Sequence, residues 1–131
     1  MPPTPRLMMV DDEADFLDLC AKRFKKRGYD IIPAGSGFAA LEILSKQEVD
    51  VVVLDVKMPG MDGIQTLKEI KKRHSEVEVI LLTGHGSVES GIQGMSHGAY
   101  DYVMKPFQLD DLLFKIDKAF ERKKLRQEGG E

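Results

Sequence analysis

The chain lacks the features that would place it outside the cytoplasm or in a membrane. Its 131 residues include no tryptophan and one cysteine, Cys20. Because a single cysteine has no partner within the chain, a disulfide framework and a cysteine metal site are both excluded. No apolar run approaches membrane-spanning length, and the N-terminal residues contain no apolar signal core. We therefore expect a cytoplasmic protein that makes no contact with a membrane.

The chain also lacks a large excess of charge of either sign. It has 19 lysine and arginine residues against 22 aspartate and glutamate residues, which leaves a formal net charge of −3. This balance does not attract nucleic acid, so we expect no direct nucleic-acid binding by this domain. A hydrophobic share of 42% with 31% charged residues is typical of one globular domain. We expect that domain to occupy residues 1–121, and residues 122–131 to form a solvated helix end followed by a disordered tail or by the start of a linker.

Short apolar runs alternate with amphipathic segments, a pattern typical of an α/β fold whose parallel strands are covered on both faces. In the first amphipathic segment, Phe16, Cys20 and Phe24 recur at four-residue spacing on the predicted inner face. The periodicity predicts strands over residues 7–11, 29–33, 50–55, 78–83 and 100–104. It predicts helices over residues 14–27, 37–46, 63–73, 88–97 and 109–126.

The fourth predicted helix contains Gly91 and Gly94, and each glycine costs roughly 1 kcal/mol of helix stability relative to alanine. One explanation is that small residues let the helix pack closely against its neighbours. The other is that this helix must rearrange, which makes it the softest helix of the fold. On the second explanation, replacing both glycines with alanine stiffens the helix.

Polar residues follow the apolar runs at the points where the predicted strands end. Asp11 and Asp12 close the first run, and Asp55 closes the third. If these runs are neighbouring parallel strands, the carboxylates crowd one edge of the sheet, where they repel one another. A hard, oxygen-ligated divalent cation relieves that repulsion. Thr83 and Lys105 end two further runs, and a hydroxyl and an ammonium beside an anionic cluster indicate a site that handles a phosphoryl group.

Four motifs, taken in order, resemble the receiver domain of two-component response regulators. They are Asp11-Asp12, Leu54-Asp55 continuing to Gly63, Leu82-Thr83-Gly84, and Gly98 to Phe107, and the resemblance covers roughly Leu7 to Phe120. It implies a flavodoxin-like (βα)5 fold, a three-layer sandwich around a parallel five-stranded sheet in the order 2-1-3-4-5. It also implies that the site lies at the carboxyl ends of the strands.

By this resemblance, Asp55 is the phosphoacceptor, which takes a phosphoryl group from a phosphohistidine on a sensor histidine kinase or a phosphotransfer protein. The domain is then a signalling module rather than an enzyme, because it catalyses only its own phosphorylation and dephosphorylation. Mg²⁺ is the implied cofactor. Its implied ligands are Asp12 directly, Asp11 largely through water, Asp55, and the backbone carbonyl of Lys57.

The resemblance also implies roles for residues at the far side of the site. Lys105 and Thr83 are implied to contact the phosphoryl oxygens, and Pro106 to follow a cis peptide bond. Thr83 then moves toward the phosphoryl group and Tyr102 turns inward, which makes these two residues a switch. The switch alters the surface formed by the fourth helix, the fifth strand and the last helix, and so controls a partner, an output domain or a homodimer.

Three alternatives compete with a phosphorylated receiver. An FMN-binding domain of the same fold needs a phosphate-binding loop rich in serine, threonine and glycine, where this chain has acidic Asp11–Asp15. A phosphatase with an aspartyl nucleophile carries aspartate two residues after it, where this chain has Lys57. An unphosphorylated interaction module has no need of the acidic residues, Thr83 and Lys105. Within the receiver interpretation, the effects of Lys57 and His85 on the lifetime of the phosphate stay open.

Overall fold

The computed structural model of the chain describes residues 4–84 and 88–128. Along these residues, five strands alternate with five helices. The strands are β1 (Leu7–Val10), β2 (Ile31–Ala34), β3 (Val51–Asp55), β4 (Glu78–Thr83) and β5 (Asp101–Met104). The helices are α1 (Ala14–Lys26), α2 (Gly37–Lys46), α3 (Gly63–Arg73), α4 (Val88–Ser96) and α5 (Leu109–Glu128). None of these helices combines the length and the apolar character needed to cross a bilayer.

The strands form one parallel sheet in the order β2-β1-β3-β4-β5. Successive residues of a strand point to opposite faces of the sheet. In β3, Val52 and Leu54 pack into the core shared with α2 and α3, whereas Val51 and Val53 pack into the core shared with α1 and α5. The sheet is therefore the middle of three layers with an apolar core on each side. The predicted fold class and strand order are confirmed.

Strand β2 begins two residues later than predicted, at Ile31, and the end of α1 explains the difference. Gly28 adopts a φ of +87°, a left-handed conformation that favours glycine. The N–H of the next residue, Tyr29, donates to the carbonyl of Phe24 over 3.0 Å and so closes the helix. Tyr29 therefore belongs to the helix end and not to the sheet. At the other end of the chain, α5 runs to Glu128, two residues beyond its predicted end.

The carboxyl ends of the central strands meet at one edge of the sheet. Val10 is aligned with Leu54 across β1 and β3, and Thr83 with Met104 across β4 and β5. Residues that end or directly follow these strands therefore lie along the same edge. They are Asp11, Asp55, Thr83 and Lys105. The fold thus brings together polar residues that are far apart in the sequence.

Helix α4 packs so closely on the sheet that its two glycines have no room for a side chain. A Cβ at Gly91 would lie 2.6 Å from Cδ2 of Tyr102, and a Cβ at Gly94 would overlap Cδ1 of Leu81. Close packing therefore accounts for both glycines. A methyl group at either position would force Leu81 or Tyr102 to move, which opposes the stiffening expected from alanine, and that expectation stays a prediction. A rearrangement of α4 stays a prediction.

Ion pairs, rather than apolar packing, hold the last turns of α5. Arg122 donates to both carboxylate oxygens of Glu78 over 2.7 and 2.8 Å, and Arg126 adds a bond of 3.2 Å. Glu78 is completely buried at the start of β4. Lys123 is buried as well, and it donates to Asp50 over 2.6 Å. These contacts anchor the part of the helix that follows the predicted domain boundary.

Replacing Glu78 with glutamine is expected to lower the free energy of unfolding by about 2 kcal/mol. The neutral amide loses its charge-assisted bonds to both arginines. The loss stays below that of a fully buried pair because the Arg122 and Arg126 side chains are 45% and 50% exposed and regain water. Urea unfolding followed by circular dichroism measures the change. The matched control is Glu76→Gln at an exposed position, and an equal loss in both variants would contradict the anchoring role.

Candidate functional site

Three carboxylates meet at the carboxyl edge of the sheet. Asp11 and Asp12 follow β1, and Asp55 is the last residue of β3. One side-chain oxygen from each residue lies within 4.8 Å of the other two. Asp11 is completely buried and Asp55 is 7% exposed, whereas Asp12 is exposed. A cluster of carboxylate oxygens that is open to solvent on one side suits a hard divalent cation.

Local backbone contacts hold these carboxylates in place. Oδ1 of Asp11 accepts a hydrogen bond of 2.9 Å from the N–H of Glu13, which orients the carboxylate at the start of α1. After β3 the chain turns back, and the N–H of Gly63 donates to the carbonyl of Val56 over 2.8 Å. A side chain at Gly63 would collide with the backbone carbonyl of Asp55, so this close approach requires glycine. Asp55 sits at the end of β3, a strand that is braced from both sides by its pairing with β1 and β4.

One ammonium group faces the two buried carboxylates. Lys105 directly follows β5, and its Nζ lies 3.1 Å from Oδ2 of Asp11 and 3.5 Å from Oδ1 of Asp55. The side chain of Lys105 is 25% exposed. The peptide bond between Lys105 and Pro106 is cis, as the resemblance implies. The ammonium is thus held within reach of any anion that binds at Asp55.

Burial and neighbouring charges shift the pKa values of both Asp55 and Lys105. Desolvation raises the pKa of Asp55 above its ordinary value of 3.8, and repulsion from Asp11 adds to this, while the attraction of Lys105 offsets only part of it. Burial alone would lower the pKa of Lys105, but the carboxylates of Asp55 and Asp11 outweigh burial and raise it. Without a further cation, the site therefore favours the charged lysine and disfavours the charged aspartate.

In the presence of a chelator, Asp55→Asn is expected to raise the free energy of unfolding at neutral pH by about 1 kcal/mol. The raised pKa means that the folded state binds a proton at Asp55 more tightly than the unfolded state does. Charged Asp55 thus opposes folding above its folded-state pKa, and this opposition disappears as the pH falls toward about 4. Thermal unfolding at both ends of this range measures the difference. A gain that does not depend on pH would contradict the electrostatic cause.

Thr83 ends β4 at the same edge of the sheet, and Tyr102 lies on the neighbouring strand β5. The hydroxyl of Thr83 is buried and has no hydrogen-bond partner within residues 4–84 and 88–128. A buried hydroxyl without a partner costs free energy, so this one is a candidate for binding a ligand. The carbonyl of Thr83 accepts a bond of 2.8 Å from the N–H of Lys105. Tyr102 is half-buried, and its ring lies against Gly91 of α4.

The sequence pattern missed one neighbour of the site. Phe16 packs against the core from the inner face of α1, as the spacing predicts, but it is only half-buried, and its ring also lies against the ammonium of Lys105. An aromatic residue at helical spacing indicates core packing, and no local signal distinguishes this position. The effects of Lys57 and His85 on the lifetime of the phosphate stay open. Lys57 is exposed, and His85 lies outside the described residues.

The comparisons with known proteins agree on one family. The family model of the response regulator receiver domain matches residues 7–117. The AtoC regulatory protein of Escherichia coli is 35% identical over 123 residues, which cover 94% of this chain and 27% of AtoC. This chain therefore spans about a quarter of the length of that relative.

Two solved structures extend this agreement to the fold. A receiver domain protein from Clostridium thermocellum superposes with a TM-score of 0.88 at 35% identity, over 93% of this chain and 98% of that one. The beryllofluoride-activated NtrC4 receiver domain dimer gives a TM-score of 0.83 at 33% identity, over 90% and 98% of the two chains. With the family match and the strand order, these likenesses show that the chain belongs to the response regulator receiver domain family.

Proposed function

We propose that this domain accepts a phosphoryl group on Asp55 from a phosphohistidine on a sensor histidine kinase or a phosphotransfer protein. The observation that carries the proposal is the convergence of Asp55 with Asp11, Asp12 and Lys105 at one sheet edge. Membership in the receiver family supports a signalling role. The domain then catalyses only its own phosphorylation and dephosphorylation.

The proposed step is an in-line displacement at phosphorus. A carboxylate oxygen of Asp55 forms the new O–P bond while the P–N bond to the imidazole breaks, and the imidazole leaves with the electron pair. A reaction of this kind depends mainly on positioning, and Asp55 is fixed at the end of the braced strand β3. Water later cleaves the acyl phosphate, which releases inorganic phosphate and restores the carboxylate.

The oxygen donors around Asp55 fit Mg²⁺, which prefers oxygen ligands and keeps several waters. Asp12 would bind the ion directly, and Asp11 largely through water. Asp55 and the backbone carbonyl of Lys57 would complete the protein ligands. The raised pKa of Asp55 supports this assignment, because the site disfavours its own negative charge when no further cation is present. When bound, the ion supplies the positive charge that offsets repulsion between the phosphoryl oxygens and the carboxylates.

Lys105 and Thr83 are the proposed partners of the phosphoryl oxygens. The ammonium of Lys105 lies 3.5 Å from Asp55, so a group bound to that carboxylate comes within its reach. The hydroxyl of Thr83 would gain the hydrogen bond that it lacks among the described residues. Movement of Thr83 toward the phosphoryl group would then let Tyr102 turn inward, so that phosphorylation biases a two-state element.

The proposed output surface consists of α4, β5 and α5. Several large apolar side chains on the two helices are exposed, among them Ile92, Met95 and Phe114. Phe114 also borders a cleft along β5, beside Tyr102 and Met104. The NtrC4 receiver relative is described as a dimer in its activated form. We therefore propose that phosphorylation controls partner binding or homodimer formation through this surface.

We also propose that this receiver domain controls an output domain. AtoC is much longer than this chain, which fits a receiver that controls an output domain. Residues 1–121 are the proposed receiver unit, and residues 122–131 its helix end with a tail or the start of a linker. The absence of direct nucleic-acid and membrane contacts by this domain stays a prediction, as does the cytoplasmic location.

Incubation with Mg²⁺ and acetyl phosphate tests the proposed chemistry. Intact-mass spectrometry should show the addition of one phosphoryl group, which hydroxylamine removes and which a chelator prevents. Asp55→Asn should take up no label. The matched control is Asp30→Asn, an exposed aspartate before β2 at the opposite edge of the sheet, which should label like the wild type. An unlabelled wild type, or a label that persists in Asp55→Asn, would overturn the proposal.

A further inference from the structure

The ammonium of Lys105 has a second neighbour besides the carboxylates. Its Nζ lies 4.4 Å from the centroid of the Phe16 ring, in the first turn of α1. A cation at this distance from an aromatic ring face is attracted by the electrons of the ring. Lys105 is therefore held between two carboxylates and an aromatic ring.

The ring itself is fixed by the segment that follows Lys105. Phe107 packs edge-on against Phe16, with ring centroids 6.4 Å apart and an angle of 88° between the planes. Edge-to-face packing of this kind restrains both rings. Phe16 thus contacts both the side chain of Lys105 and the loop that follows it.

Core packing alone does not explain an aromatic residue at this position. Leu17, Cys20 and Phe24 are the buried residues of α1, whereas Phe16 packs against the same core but is only half-buried. An aliphatic side chain would cover the same apolar surface. What a leucine would not supply is a ring face beside the ammonium.

We propose that Phe16 is a positioning residue for Lys105, an inference that rests on the proposed role of Lys105 in phosphorylation. The four-carbon stem of lysine is flexible, and its compact ammonium reaches a phosphoryl oxygen only if it is held in one place. A ring face attracts the ammonium without offering a directed acceptor. It therefore leaves the N–H groups free for Asp11, Asp55 and the incoming phosphoryl oxygens.

Two substitutions at Phe16 distinguish the effect of the aromatic ring from the effect of apolar volume. Phe16→Leu keeps an apolar side chain but removes the ring, and is expected to lower the rate of phosphorylation by acetyl phosphate roughly three- to tenfold. Phe16→Tyr keeps the ring, and should restore the rate to within about twofold of the wild type. The matched control is Phe120→Leu, since Phe120 is also half-buried and lies 5.0 Å from the ammonium of Lys124 on α5. It should leave the rate unchanged.

A double-mutant cycle with Lys105→Met identifies the residue through which Phe16 acts. If Phe16 positions Lys105, then Phe16→Leu changes the rate by less than about twofold once the ammonium is absent. A wild-type rate in Phe16→Leu, or an equal loss with and without Lys105, would overturn the inference while the proposed function stands. A wild-type domain that takes up no label would instead overturn the proposed function, and the inference with it.

Discussion

Replacing Lys105 with methionine is expected to slow the phosphorylation of Asp55 by acetyl phosphate about a hundredfold to a thousandfold. Methionine keeps most of the length of the side chain but cannot donate to the phosphoryl oxygens. Negative charge on those oxygens then faces Asp11 and Asp55 without the ammonium that lies 3.1 and 3.5 Å from the two carboxylates. The time course of intact mass at saturating Mg²⁺ measures the rate constant.

The same substitution should also weaken the fold when divalent cations are absent. Asp11 is completely buried, and Lys105 is its ion-pair partner among the described residues. Loss of that partner is expected to lower the free energy of unfolding in chelator by about 2 to 3 kcal/mol. Mg²⁺ should recover much of this loss, because it offsets charge on the same carboxylates.

Lys22→Met is the matched control for Lys105→Met. Lys22 is exposed on α1, and its loss should change neither the phosphorylation rate nor, by more than about 0.5 kcal/mol, the stability. A wild-type rate of phosphorylation in Lys105→Met would show that Lys105 does not contribute to the reaction. Unchanged stability in chelator would show that the buried carboxylates have no need of its charge.

Replacing Gly94 with alanine is expected to lower the free energy of unfolding by about 1 to 2 kcal/mol. Alanine gains about 1 kcal/mol in helix propensity, but its methyl group would overlap the side chain of Leu81, which is completely buried. For a domain of this size, the net loss lowers the melting temperature by roughly 4 °C per kcal/mol. Thermal and urea unfolding measure it.

Gly35→Ala is the control for a change of glycine to alanine in open space. A Cβ at Gly35 meets nothing within 4 Å, so this variant should be about as stable as the wild type. At Gly91 the methyl group would press on the ring of Tyr102, so the tyrosine signals in an NMR spectrum should shift in Gly91→Ala but not in Gly35→Ala. A Gly94→Ala variant more stable than the wild type would restore the idea that these glycines serve only to soften α4.

The polar edge was predictable from the sequence because parallel strands end together. Asp11 and Asp55 each follow or end a buried apolar run, and the alignment of Val10 with Leu54 brings them side by side. Lys105 was predictable for the same reason, since β5 ends directly before it. The hydrophobic pattern identifies strands, and the geometry of a parallel sheet then places their ends.

Contacts that depend on tertiary packing were not predictable in this way. Arg122 lies on a charged stretch that looks solvated, and its partner Glu78 is 44 residues away at the start of an apolar strand. Phe16 has core spacing, but its contact with Lys105 exists only because the loop after β5 returns to α1. The close approach of α4 at Gly94 likewise depends on Leu81 of a neighbouring strand. A local sequence pattern does not identify contact partners that are distant in the chain.

Chemical mapping of the phosphoryl group tests the central claim most directly. Borohydride reduces an aspartyl phosphate to homoserine, so the modified residue can be read by tandem mass spectrometry after labelling with acetyl phosphate and Mg²⁺. Homoserine at position 55, and absent when the chelator is present, is the predicted result. Homoserine at Asp11 or Asp12 instead, or a label that does not require the metal, would contradict the assignment of Asp55 as the metal-dependent phosphoacceptor.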